Sequence, residues 1–371
     1  MKKTIILIAL ALAASAAYAQ DAQQAAAEAA QLVGAAPTAE VQVEKPKYWT
    51  SSLKTQINVG QTSLTNWAAG GDNTVSLAAF IDGNANWKKN DMFWNNRLQL
   101  DYGFLYASSK PIVQKSTDRI YLESKWGYKA PSTKYLYFSA NYDFKSQFTT
   151  GYDYKTPGVE GLEDMSHKDQ VKHWKDARVL KSGFLAPAYT NLALGIDYTP
   201  TKWLSINFAP LTGGFVIVRD AALRKSYSMN AKKSTTPEML AAAEDALSSA
   251  TTDAEREEAT FALGNLYRSA NFEFGAQLKM DAKVNINDNF SYSTQVVLFT
   301  NYLDINRCPR INWDNRIDWK LAKYFSFTIT TNLIYDDKIM IADRNGENPK
   351  ARVQFKESLA FGFTYTIASK K

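Results

Sequence analysis

Trp94-Asn95-Asn96-Arg97-Leu98-Gln99-Leu100-Asp101-Tyr102-Gly103-Phe104-Leu105-Tyr106 alternates along most of its length. Leu98, Leu100, Tyr102, Phe104 and Tyr106 fall on one face, and Arg97, Gln99, Asp101 and Gly103 on the other. A period of two marks a strand with one apolar and one polar side. Leu136, Phe138, Ala140, Tyr142 and Phe144 repeat it against Ser139, Asn141, Asp143 and Lys145. Phe272, Phe274, Ala276, Leu278, Met280 and Ala282 repeat it against Glu273, Gln277, Lys279, Asp281 and Lys283. Strands of a soluble sandwich usually stop after about five or six residues. These run to roughly ten or more, the length a tilted strand needs to cross a bilayer.

About twelve such segments are expected, at 52–61, 74–87, 92–106, 119–128, 135–148, 189–198, 203–218, 271–286, 290–302, 311–321, 325–335 and 353–367. Short connections at 88–91, 129–134, 199–202, 287–289 and 322–324 alternate with longer ones at 62–73, 107–118, 149–188, 219–270, 303–310 and 336–352. Chain reversal across a membrane produces that alternation, with short periplasmic turns and longer outside loops. The expected fold is therefore all-β: a transmembrane antiparallel up-and-down β-barrel. Trp87, Trp94, Trp126, Trp203 and Trp319 all lie within a few residues of a short turn, where indole rings settle at the membrane interface.

This pattern reconciles a composition that otherwise conflicts with itself. The 371 residues have a mean hydropathy of −0.34, too polar for several helical membrane spans, yet 13% are aromatic. Lys and Arg number 43 against 37 Asp and Glu, a net of +6, too little to argue for nucleic acid. One cysteine, Cys308, excludes an internal disulfide and multi-cysteine metal sites, and only His167 and His173 are available for imidazole chemistry. At the N-terminus, Lys2 and Lys3 precede the apolar run Ile5 to Ala17, and Ala17-Tyr18-Ala19 stands before Gln20. Residues 1–19 thus read as a signal peptide, 20–47 as a disordered periplasmic linker and 48–371 as the barrel, placed in the outer membrane of a Gram-negative bacterium. The partners this implies are outer-membrane lipid and the barrel-insertion machinery, for which Gly362, Phe363, Tyr365 and Ile367 resemble a C-terminal signal; nucleic acid is excluded.

Asn66-Trp67-Ala68-Ala69-Gly70-Gly71-Asp72-Asn73, followed by Leu100-Asp101-Tyr102-Gly103, resembles a family of outer-membrane barrels from Bacteroidota known only as a domain of unknown function. The resemblance implies an outer-membrane location and no known activity. Taken as residues alone, Gly70-Gly71 is a turn signal and Trp67 an interface anchor; whether Asn66, Trp67 and Asp72 bind anything is open.

Parity turns one face of each strand into the lumen. Lys54, Arg97, Arg119, Lys125, Lys145, Lys279, Lys283, Arg316, Lys320 and Lys356 are expected there with Asp82, Asp101, Glu123, Asp143, Asp197, Glu273, Asp281, Asp314 and Asp318. A strongly selective pore would show one sign in excess, whereas near balance suits ion pairs crossing a narrow barrel. His167 and His173, among Asp164, Asp169 and Asp176, read as part of a solvated loop without a defensible ligand spacing. No GxSxG, HExxH or P-loop pattern is present, so no catalytic residue, metal or cofactor is expected. Within about 231–268, Thr236-Pro237-Glu238 and Thr252-Asp253 open two helices, the second with Ala259, Leu263 and Leu266 on one side. A helical hairpin inserted in one outside loop follows. The leading functional expectation is a channel or porin-like uptake protein for small hydrophilic solutes. The competing one is a non-transporting structural or interaction barrel that holds a protein partner with its outside loops.

Overall fold

The computed structural model describes residues 48–62, 73–306, 308–341 and 348–368. The expected signal peptide and linker, and Asn66, Trp67, Gly70, Gly71 and Asp72 of the glycine-rich motif, lie outside these residues. In chain order the strands are β1 (Trp49–Thr62), β2 (Thr74–Lys89), β3 (Met92–Ala107), β4 (Lys110–Lys129), β5 (Leu136–Ser146), β6 (Gly151–Tyr154), β7 (Arg178–Ser182) and β8 (Ala188–Tyr198). They continue as β9 (Leu204–Ile217), β10 (Ala270–Asn285), β11 (Phe290–Asn301), β12 (Arg310–Lys320), β13 (Phe325–Tyr335), β14 (Met340–Ile341), β15 (Lys350–Ala351) and β16 (Gln354–Ala368). Twelve of them form a closed barrel in the order β1-β16-β13-β12-β11-β10-β9-β8-β5-β4-β3-β2. Every pairing in it is antiparallel, so no barrel edge is left to recruit another strand.

The outer wall is apolar because alternate residues face away from the lumen. Phe355, Leu359, Phe361 and Phe363 on β16 stay 47–63% exposed, as do Leu53, Ile57 and Val59 on β1 at 40–59%. Such a wall is stable only against lipid. At the short-turn end, Trp49, Trp87, Trp94 and Trp126 stand in one register row across four neighbouring strands. Trp203 and Trp319, both 49% exposed, lie at the same end. Trp94 Nε1 donates to Ser124 Oγ at 2.8 Å, which leaves an apolar ring outward and its polar atom satisfied. No helix among the described residues is long and apolar enough to cross a membrane.

Gly195 sits where β8 and β9 slip register between Leu194 and Ile196. A Cβ there would lie 2.1 Å from the carbonyl oxygen of Phe208, so the bulge accepts only glycine.

Two expectations need correction. Residues 107–118 are not a long loop: β4 begins at Lys110, and its pairing with β3 continues past shifts at Gly103/Phe104 and Tyr106/Ala107. The connection 149–188 is not a plain solvated loop either. It contains the β6–β7 hairpin and a helix, α1 (His167–Asp176), whose Ser166 cap accepts from the Asp169 N–H and whose Trp174 is buried. The 219–270 connection holds α2 (Ala221–Arg224) and then the expected helical pair, α3 (Pro237–Ser249) and α4 (Asp253–Asn265). Ala186, Val218, Leu223 and Met229 pack as a small core at this long-loop end, with Leu180 and Tyr227 against it.

Candidate functional site

The lumen is crossed by side chains. Lys279 on β10 is 4% exposed, and its Nζ donates to Glu123 Oε1 on β4 at 2.5 Å. Those strands stand four places apart in the ring, so the bond spans the interior instead of following the wall. Glu123 also accepts from the Tyr121 hydroxyl at 3.0 Å, and Asp281 lies 3.9 Å from Lys279. Beside this pair, Lys125 Nζ donates to Asp197 Oδ1 at 2.7 Å, two strands away, with Asp197 fully buried. Asn207 on β9 reaches Ser139 on β5 at 2.9 Å. Three buried acceptors in this sector, Asn141 Oδ1, Asp197 Oδ2 and Asn207 Oδ1, have no donor among the described residues.

A second network joins β12 to β1 and β13. Arg316 grips both oxygens of Asp318 at 2.8 Å and donates to Gln56 Oε1 at 2.8 Å. Lys54 reaches Asp318 at 3.2 Å, and Thr328 completes the set with bonds to Asp318 and Gln56. The Arg316 guanidinium also lies 4.9 Å from the ring centre of Phe80 on β2, four strands round. Gln56 and Thr328 are almost entirely buried, at 2% and 3%. Gln56 and Thr328, so enclosed, are held by polar neighbours in the lumen.

Shorter pairs line the wall. Arg97 bonds both oxygens of Asp82 at 3.0 and 2.7 Å, and Arg119 bonds Asp101 at 2.8 Å and Gln99 at 3.1 Å. Asp143 accepts from Asn191 at 3.0 Å and Asp281 from Gln295 at 2.6 Å. Asp314 accepts from Asn312 at 3.2 Å and from Asn332. Of the nineteen charged lumen residues expected from parity, Arg97, Asp101, Arg119, Glu123, Lys125, Asp143, Lys279, Asp281, Asp314, Arg316 and Asp318 take part in these contacts, as do Lys54, Asp82 and Asp197. Sequence reading missed their neutral partners Gln56, Tyr121, Asn191 and Asn332, and it missed Arg310, which forks onto Glu273 at 3.3 and 2.8 Å and lies 3.9 Å from Asp336. Arg310 was read as the end of a loop; its inward register opposite Phe299 was the available signal.

Other candidates stay apart from this interior. His167 opens α1 and is exposed; among the described residues no group of His, Cys, Asp and Glu is placed to hold a metal. Cys308 is exposed beside the mouth, its N–H bonded to Asp337 Oδ2 at 3.0 Å. Asn73, the described residue of the glycine-rich motif, donates its N–H to Ser108 Oγ at 3.2 Å.

Residues 59–152 match a family model described as "Protein of unknown function (DUF3078)". No curated protein matches. Among solved structures, the chain is similar to the translocator domain of the autotransporter NalP from Neisseria meningitidis, at 10% identity and TM-score 0.35 over 95% of this chain and 97% of that one. It is similar also to an outer-membrane channel from Pseudomonas putida F1, at 8% identity and TM-score 0.34 over 90% and 100%. The NanC porin follows, at 6% identity and TM-score 0.30 over 87% and 99%. Likeness at these identities and scores says nothing of what this chain does.

Proposed function

We propose that this chain is an outer-membrane barrel that holds its lumen shut at rest, with its short turns in the periplasm and its long loops and helical pair outside. The apolar outer wall and the tryptophan row support the location, since both are costly anywhere but in a bilayer. The observation that carries closure is the Lys279–Glu123 bond, buried and spanning four strands of the ring. An open porin keeps its lumen charges hydrated; here Lys279, Asp197, Gln56 and Thr328 are shielded by protein. The reading therefore favours a structural or interaction barrel that works through its outside surface over an open pore.

A gated uptake channel is the second reading, favoured by Lys145 and Lys356 near the long-loop ends of β5 and β16, which have no hydrogen-bond or ion-pair partner among the described residues. Neither reading assigns a catalytic residue. Liposomes reconstituted with the folded protein test closure. They should swell in isotonic arabinose no faster than empty vesicles, and porin-like swelling would overturn the proposal.

A further inference from the structure

The five short connections, at 88–91, 129–134, 199–202, 287–289 and 322–324, hold six lysines and two aspartates. The two longest connections are balanced: 149–188 carries six basic and six acidic residues, and 219–270 seven and eight. Positive charge is therefore collected at one end of the barrel, the end with the tryptophan row.

Four of the short connections set a lysine beside an interface aromatic. Lys89 Nζ lies 5.1 Å from the ring centre of Tyr48, Lys134 Nζ 5.1 Å from that of Tyr135, and Lys323 Nζ 5.1 Å from that of Tyr324. Lys202 directly precedes Trp203. Tyr135 meets Tyr198 edge-on and Tyr324 stacks on Phe363, both rings of the outward-facing wall. An ammonium group held over such a ring stays at headgroup level while its alkyl stem covers apolar surface. All four lysines are exposed, and none of their ammonium groups has a hydrogen-bond or ion-pair acceptor among the described residues. Lys129 differs, since it faces Asp91 at 4.0 Å. The four connections join β2 to β3, β4 to β5, β8 to β9 and β12 to β13, which spreads the lysines round the ring.

We propose that Lys89, Lys134, Lys202 and Lys323 form a belt that holds anionic phospholipid, each ammonium group taking the headgroup phosphate of its own lipid. A phosphate is the anion a bilayer presents at the depth of these rings, and it supplies the charge-assisted acceptor that each lysine lacks. A zwitterionic headgroup carries the same phosphate beside a compensating cation, so lipids of net negative charge are preferred. The belt rests on the membrane-spanning reading above, and closure of the lumen does not enter it.

The test is electron spin resonance of the folded protein in phosphatidylcholine vesicles, with trace spin-labelled phosphatidylglycerol or phosphatidylcholine as the probe. Both probes should show a motionally restricted population at the barrel wall. At low salt phosphatidylglycerol should be enriched there about twofold or more, given the attraction of a surface lysine for an anionic lipid. Sodium chloride at roughly 0.5 M should remove the enrichment by screening. Lys89→Gln, Lys134→Gln, Lys202→Gln and Lys323→Gln together should abolish it. Lys168→Gln, Lys172→Gln and Lys233→Gln, exposed at the long-loop end, should leave it intact. Equal restriction of the two lipids by the wild type, or enrichment that survives the fourfold substitution, would overturn the belt alone. No restricted population of either lipid would overturn the spanning reading and the belt with it.

Discussion

The middle of the lumen and the α3–α4 helical pair are held together in opposite ways. In the lumen the deciding bonds join residues far apart in sequence: Lys279 to Glu123 at a separation of 156, Lys54 to Asp318 at 264, and Gln56 to Thr328 at 272. At the start of α4 the deciding bonds are local. Thr252 Oγ1 accepts from the Glu255 N–H at 3.2 Å, and the Glu255 carboxylate reaches back to the N–H groups of Thr251 and Thr252 at 2.9 and 3.0 Å. One region exists only once the barrel has closed; the first turn of α4 needs about four residues and a capping box. Lumen substitutions should therefore be felt throughout the molecule, and helical-pair substitutions only where they are made.

The largest expected effect is at Lys279→Met, which leaves Glu123 buried without its cation. Loss of one partner of a buried pair costs about 3–5 kcal/mol, read as a lower urea midpoint of the detergent-folded barrel. Adding Glu123→Gln should return most of that loss, and a double variant no better than the single would break the pairing argument. Asp318→Asn comes next, because Arg316, Lys54 and Thr328 all bond that carboxylate. A loss of about 1.5–3 kcal/mol is expected by the same readout.

By contrast, excision of residues 237–265 with a short glycine-serine bridge should leave the barrel's heat-modifiable gel shift and urea midpoint unchanged. A barrel that fails to fold without them would erase the contrast. Smaller still, Thr252→Ala should speed amide exchange in the first turn of α4 roughly fivefold, the loss of one N-cap bond, with no change in the strands.

The same turn carries a pH dependence. Backbone N–H donors of Thr252 and Thr251 hold the Glu255 carboxyl well below its usual value, at about 2. A depressed carboxyl pKa stabilises the fold fully above the ordinary value near 4.5, and that contribution fades as pH falls toward 2. Exchange protection at the start of α4 should decline across that window, and protection unchanged down to pH 2 would contradict the capping geometry.

The two regions also differ in how readily sequence reveals them. The strands were legible because each face meets one solvent along its whole length, so Leu98 to Tyr106 and Phe272 to Ala282 alternate cleanly. The helical pair was legible because Thr236-Pro237 and Thr252 with Glu255 are local start signals. The early start of β4 was not, since Lys110 to Thr117 carries Pro111 and a polar run, and two bulges shift its parity against β3. Helix α1 was missed because Val171 and Trp174 give it almost no apolar periodicity, although Ser166 three residues before Asp169 was a usable cap. Parity placed Lys279 and Glu123 in the lumen but could not pair them. That bond depends on the stagger of a closed ring, which no single strand encodes.

Closure of the lumen is the central claim, and single-channel recording in planar bilayers tests it most directly, with insertion confirmed by protease protection of the barrel. The wild-type protein should show no steady unitary conductance in 1 M KCl, whereas Lys279→Met with Glu123→Gln should produce openings. Stable porin-like steps from the wild type, unaltered by that double substitution, would contradict it.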